Sequence, residues 1–195
     1  WKPRVYPEDV TLNLSEDAPI LEGSWGRIIH DQRCMWLASW VDKLTNKVKY
    51  VWLADTASLR QQRDRMKYDQ SLKLAGRIES VRRKITHMLA SKKPLERKIA
   101  MVCYLIDKVA MRVGDEKDKD EADTVGATTL RVEHITLNGS KITFDFLGKD
   151  SVRWQKTIEA EPIVIANFRE YMDGKAPSGQ VFDGVTSNMA NRVLV

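Results

Sequence analysis

Two cations in this sequence are placed where they could act on one phosphate. Arg112 closes an apolar-periodic stretch that predicts a helix, and Lys149 sits in the tight turn Gly148-Lys149-Asp150-Ser151 after a predicted strand. A phosphodiester attacked by an oxygen nucleophile without metal passes through a pentacoordinate transition state. Its non-bridging oxygens gain negative charge, and a planar guanidinium can bind two of them at once. The departing 5′ oxygen needs a proton, which a lysine beside phosphate can supply as general acid. An arginine on a helix end and a lysine on a turn, 37 residues apart, could converge on a DNA phosphate. Residue type alone leaves the alternative standing, because solvated arginines and lysines occur in every protein.

The elements that must hold these residues follow from periodicity. Pro94 suits a first helical position. Ile99, Val102, Ile106, Val109 and Val113 keep one apolar face down to Gly114, the predicted C-terminal stop. Arg112 is then expected on the last turn, off the stripe and pointing away from the core. Asp115 to Thr124 is too charged to be buried and reads as a loop. Thr129 to Leu137 and Lys141 to Leu147 read as strands joined through Asn138-Gly139, a strong hairpin signal, with Ile142, Phe144 and Phe146 on one face. A third strand, Val152 to Ile158, leaves Lys149 at the tip of a two-stranded finger, able to reach into a DNA groove. Pro162 to Met172 reads as a helix with Gly174 past its end, and Thr186 or Ser187 as the cap of another.

Upstream, Val10 to Leu14 alternates and predicts a short strand, and Ser15 to Gly26 is turn-rich. Met35 to Trp40 and Val48 to Leu53 read as strands around the turn Asp42 to Lys47. Trp25, Trp36, Trp40 and Trp52 fall in this small β unit. Aromatic strands can stack on bases, but packing in a core is the commoner use. Leu59 to Leu89 is charged, with Ile78, Val81, Ile85 and Met88 at helical spacing, and Gly76 is expected to split it in two. Arg60, Arg63, Arg65, Lys67, Lys73, Arg77, Arg82, Arg83 and Lys84 make it basic, as a solvated face or as a wall facing phosphates.

At 195 residues and 43% apolar content, the chain can bury a real core as one domain or two small ones. A net charge of +5 and a pI near 9.2 permit nucleic acid as a partner without demanding it. No apolar run approaches the roughly 18 residues of a membrane span, and no secretory signal stands at the start. Cys34 and Cys103 have no Cys or His at metal-ligand spacing, so buried free thiols in a reducing compartment are expected, with no metal. The sequence opens on Trp1 and stops at Val195 in mid-pattern, as expected of a fragment.

Longer blocks sharpen this reading. Ile106-Asp107-Lys108 with Met111-Arg112-Val113-Gly114-Asp115-Glu116-Lys117, then Ala122-Asp123-Thr124-Val125-Gly126 with Leu130-Arg131-Val132-Glu133-His134-Ile135, resemble the first active-site segment of the type IB DNA topoisomerases of eukaryotes and some archaea. Phe144-Asp145-Phe146-Leu147-Gly148-Lys149-Asp150-Ser151 resembles the segment with that family's catalytic lysine. Weaker similarity covers Tyr6-Pro7-Glu8-Asp9, Trp36-Leu37-Ala38-Ser39-Trp40 and Phe182-Asp183.

The resemblance implies an α+β fold: a small β-rich unit, residues 1–57, as the end of a DNA-clamp cap region. Residues 58–195 would be the first half of a mostly helical, tyrosine-recombinase-like catalytic subdomain with a three-stranded antiparallel sheet. The implied reaction is ATP-independent transesterification on duplex DNA through a 3′-phosphotyrosyl link, with no cofactor and no metal. Arg112 matches the first catalytic arginine, and Lys149 the lysine that protonates the 5′ oxygen and contacts the minor groove. Asp150 matches a residue near the cleavage point, and Lys117 and Thr124 match backbone-contacting positions.

Departures from the family pattern are also present. Asp115 stands where asparagine is usual, and Ala127-Thr128 replaces a common cysteine pair, a change that reads as neutral. The short Asn138-Gly139 turn and the Asp-rich loop point to an archaeal-type member, in the cytoplasm and nucleoid, whereas a eukaryotic member would be nuclear. The second catalytic arginine, the histidine and the nucleophilic tyrosine are expected beyond Val195, on the same polypeptide or a second subunit. None of Tyr6, Tyr50, Tyr68, Tyr104 and Tyr171, nor His30, His87 and His134, matches those contexts, and His134 reads as structural. Three other readings remain: a non-catalytic clamp, which forms no covalent adduct; a tyrosine recombinase or integrase, which does not relax plasmids of any sequence; and a protein-interaction domain, which does not bind duplex DNA at low salt.

Overall fold

The structure, a computed structural model, describes residues 3–19, 21–114, 125–148 and 151–194. The chain is α+β and divides into two compact units, residues 1–75 and 76–195.

The first unit is a mixed four-stranded sheet followed by a helix. Strands β1 (Val10–Asn13), β2 (Arg27–Ile29), β3 (Trp36–Val41) and β4 (Val48–Trp52) lie in the order β2-β1-β3-β4, with β1 and β2 parallel and the rest antiparallel. β2 is absent from the sequence reading; three residues with Arg27 and Ile28 both exposed give no alternation to detect. Buried Asn13 ties the strands together: its side-chain amide donates to the Asp31 and Trp36 carbonyls at 2.9 and 3.2 Å and accepts from the Asp31 N–H at 2.8 Å. Two expectations are corrected here. Trp36, Tyr50 and Trp52 form a row of ring contacts at 5.8 and 5.3 Å, yet Trp52 is 55% exposed rather than packed in a core. β4 is exposed along its whole length, because so small a sheet cannot cover both of its faces. Cys34 is half-buried, not buried, with its thiol against the Asp31 carboxylate. Helix α1 (Ser58–Ala75) has no buried residue and is anchored by its first turns, where Arg60 donates to the Leu53 carbonyl at 2.7 Å and Arg63 to that of Arg33 at 3.0 Å.

The second unit holds most of the core. Helix α2 (Ile78–Leu89) follows the break at Gly76, as expected. Helix α3 (Pro94–Val109) starts at Pro94 and is buried on every side through Ala100–Leu105, between α2, α4 (Pro162–Met172) and α5 (Ser187–Leu194). Burial pushes the Cys103 thiol up to about 11, so it stays protonated. Strands β5 (Ile135–Asn138), β6 (Lys141–Leu147) and β7 (Arg153–Glu159) form an antiparallel sheet in sequence order. The β5–β6 turn is Gly139-Ser140, with Gly139 at φ 61° and Asn138 paired to Lys141, the pattern of a II′ hairpin. Ile142, Phe144 and Phe146 face inward as expected; Phe144 meets Phe168 at 6.1 Å, and Phe146 stacks on Trp154 at 5.0 Å.

Two boundaries differ from the sequence reading. The predicted strand Thr129 to Leu137 is a strand only from Ile135, because Val132–His134 form a 3-10 turn held by the Arg131 N–H donating to His134 Nδ1 at 3.1 Å. Helix α3 stops at Val109 rather than at Gly114. Ala110 is left-handed at φ 55°, and its N–H and that of Met111 both reach back to the Leu105 carbonyl. Beyond that cap the backbone turns to a partner outside the helix, residues 125–128, and that pairing overrides the continuing apolar period of Val113.

Candidate functional site

Arg112 therefore lies on an irregular segment two residues beyond the left-handed cap, not on a helical turn. Its side chain is exposed, and its guanidinium makes no hydrogen bond or ion pair among the described residues. Its backbone, by contrast, is held. The Arg112 carbonyl accepts from the Ala127 N–H at 2.8 Å, and the Val113 carbonyl from the Thr128 N–H at 2.8 Å. The two segments run very close, because a Cβ on Gly126 would lie 2.4 Å from the Gly114 Cα and 2.9 Å from the Arg112 carbonyl oxygen. Only glycine permits that approach. On its other side the same segment reaches β6, with the Val125 N–H donating to the Leu147 carbonyl at 3.0 Å.

Leu147 leads into Gly148, whose N–H donates to the Val152 carbonyl at 2.8 Å, and the Ser151 N–H returns to the Gly148 carbonyl at 3.1 Å. Arg112, Val125, Phe146, Gly148 and Trp154 line one shallow hollow. The structure thus brings Arg112 and the residue before Lys149 to a common concavity, linked through residues 125–128. Lys117, Thr124, Lys149 and Asp150 lie outside the described residues. Lys156 adds a cation near the C-terminal end of α3, donating to the Val109 carbonyl at 3.4 Å.

Tyr104 and Tyr171, which do not line this hollow, are held as phenols. The Tyr104 hydroxyl donates to Glu161 at 2.6 Å, and burial together with that carboxylate raises its pKa away from phenolate formation. Burial does the same to Tyr171. Part of the predicted basic wall is committed internally: Arg82 makes parallel bonds of 2.9 and 3.0 Å to Asp107, Arg60 pairs with Asp55, and Lys67 with Asp64. Arg83 and Lys84 make no ion pair among the described residues. What the sequence reading missed is the scaffold: Gly114, Gly126 and Thr128. The only signal for it was glycine on both sides of the acidic stretch, one before Asp115 and one shortly after Thr124.

Comparisons with known proteins attach the chain as a whole to a family. Residues 56–195 match the family described as eukaryotic DNA topoisomerase I, catalytic core, and residues 1–53 match eukaryotic DNA topoisomerase I, DNA binding fragment. The chain belongs to the eukaryotic DNA topoisomerase I family.

Among its relatives are proteins named DNA topoisomerase 1. That of Candida albicans is 42% identical over 99% of this chain and 26% of its own length. That of Candidozyma auris is 43% identical over 100% and 27%, and that of Schizosaccharomyces pombe 41% over 99% and 24%. The chain spans about a quarter of the length of these curated relatives. They are eukaryotic, so the expectation of an archaeal-type member finds no support.

Proposed function

We propose that this chain is the phosphate-activating part of an ATP-independent DNA topoisomerase that cuts one strand of a duplex and reseals it. A tyrosine oxygen supplied from outside these 195 residues attacks the phosphorus, and the bond to the 5′ oxygen breaks. The attacking tyrosine's proton leaves to solvent. Arg112 binds the non-bridging oxygens as their charge grows, and Lys149 protonates the departing 5′ oxygen. The free strand rotates, and the reverse attack by the 5′ hydroxyl releases the tyrosine. In this proposal Lys149 also contacts the minor groove, Asp150 acts near the cleavage point, and Lys117 and Thr124 contact the DNA backbone. Duplex DNA is the partner. In this reading the full protein is nuclear, which is consistent with its relatives' being eukaryotic.

The observation that carries the proposal is Arg112: a side chain without a partner among the described residues, on a backbone fixed from the side by Ala127. A structural arginine would be paired, and a merely solvated one would not need a fixed backbone. In the full-length protein, Arg112→Ala should slow covalent cleavage of a labelled duplex by about 10²–10³-fold, the effect of removing one transition-state donor, while duplex affinity changes little. Equal losses in cleavage and affinity would make Arg112 a DNA-positioning residue only. Tight duplex binding by the parent protein without any covalent adduct would favour a non-catalytic clamp.

A further inference from the structure

Thr128 is 5% exposed and lies on the segment that flanks Arg112. Its hydroxyl stands 3.0 Å from the Val113 carbonyl oxygen and 2.9 Å from that of Gly114, so one proton is shared between the two carbonyls that follow Arg112 in the chain. Its own N–H donates to the Val113 carbonyl as well. The Gly114 carbonyl has no other donor among the described residues. Helix α3 has ended at Val109, and residues 111–114 belong to no described helix or strand. Val113 and Gly114 are half-buried, so a carbonyl there that loses its donor is only partly compensated by water.

The arrangement matters because the Arg112 side chain has no bond of its own to aim it among the described residues. Its direction is inherited from its backbone. Before it stands the left-handed Ala110; after it stand two carbonyls gathered by one threonine. We infer that the Thr128 hydroxyl is a positioning group for Arg112, fixing the segment from Val113 to Gly114 so that the guanidinium meets the phosphate. The replacement at Ala127-Thr128, which reads as neutral in the sequence, is then part of how this chain holds its arginine. The inference rests on the proposed role of Arg112. Thr128 acts through Arg112 and touches no substrate.

The test uses the full-length protein and single-turnover formation of the covalent adduct on a labelled duplex. Thr128→Val keeps the shape and removes the donor. It should cleave about 10–100-fold more slowly, as expected of a misplaced catalytic group, with duplex affinity within about twofold of the parent. Thr128→Ser restores the donor and should return the rate to within about threefold. The decisive readout is the pair: Arg112→Ala with Thr128→Val should be no slower than Arg112→Ala alone, because the threonine has nothing left to position. A parental rate for Thr128→Val, a serine variant as slow as valine, or multiplied losses in the double variant would each overturn the inference. If Arg112→Ala itself cleaves at the parental rate, the proposed function fails instead. Should the valine variant not fold, Thr128→Cys offers a weak donor at the same place; it should be slower than Thr128→Ser, and a parental rate would overturn the inference.

Discussion

Replacing Gly126 with alanine adds one methyl group where there is no room for it. The new Cβ would sit 2.4 Å from the Gly114 Cα, 2.5 Å from its nitrogen and 2.9 Å from the Arg112 carbonyl oxygen. All three are backbone atoms, so no rotamer change relieves the contact. The segments must move apart, stretching the Ala127-to-Arg112 and Thr128-to-Val113 hydrogen bonds, both 2.8 Å in the parent. Overpacking of this kind costs about 1–3 kcal/mol, and two weakened backbone bonds add roughly 0.5–1.5 kcal/mol each. A loss of about 3 kcal/mol is expected. With a urea slope of about 2 kcal/mol per molar, the unfolding midpoint of the chain should fall by roughly 1.5 M. Gly139→Ala is the control. Nothing lies within 4 Å of a Cβ there, and only its positive φ of 61° resists a side chain, a cost of about 1 kcal/mol. If Gly126→Ala unfolds at the same urea concentration as Gly139→Ala, the close approach of the two segments does not exist in solution.

Two more outcomes follow from the same geometry and chemistry. Lys149→Ala in the full-length protein should be slow on ordinary DNA and largely rescued on a duplex with a bridging sulfur at the 5′ position, whose departure needs no proton; no rescue would count against a general acid. Asp183 is held at about 2, against an ordinary 3.8, by hydrogen bonds from Lys175 and then Lys98. Its folded value is depressed, so its contribution is complete above about pH 4 and is lost as the pH falls from there towards 2. Asp183→Asn should flatten the acid limb of the stability curve in that window, and an unchanged slope would remove the ion pairs from the account.

Much of the second unit was legible because its signals are local. Pro94 and Pro162 begin helices, Gly174 ends one, and the alternation of Ile142, Phe144 and Phe146 names the buried face of β6. The end of α3 was not legible. Val113 repeats the period of Val109, and what stops the helix is a hydrogen-bonding partner fifteen residues away at Thr128. β2 is defined by parallel pairing to β1, which leaves no trace in three residues. Trp52 misled because hydrophobicity reports a preference for burial, and a sheet of four short strands has too little interior to satisfy it. As for the site, Arg112 stood out through its resemblance to a family rather than through charge. The scaffold around it, Gly126 against Gly114, was invisible because contact between two backbones is not encoded in either residue alone.

The exposed edge strand of the first unit has a practical consequence. β4 ends its sheet, and Val48, Tyr50, Val51 and Trp52 are all exposed on it. An apolar edge whose backbone donors and acceptors are unclaimed among the described residues is a template for another strand, including the same strand of a second molecule. Lys49, in its middle, is the one charge that opposes this. Handled alone at high concentration, the 195-residue chain should self-associate through β4 and become cloudy before it unfolds. A second lysine, at Val51, is the change most suited to keeping it in solution.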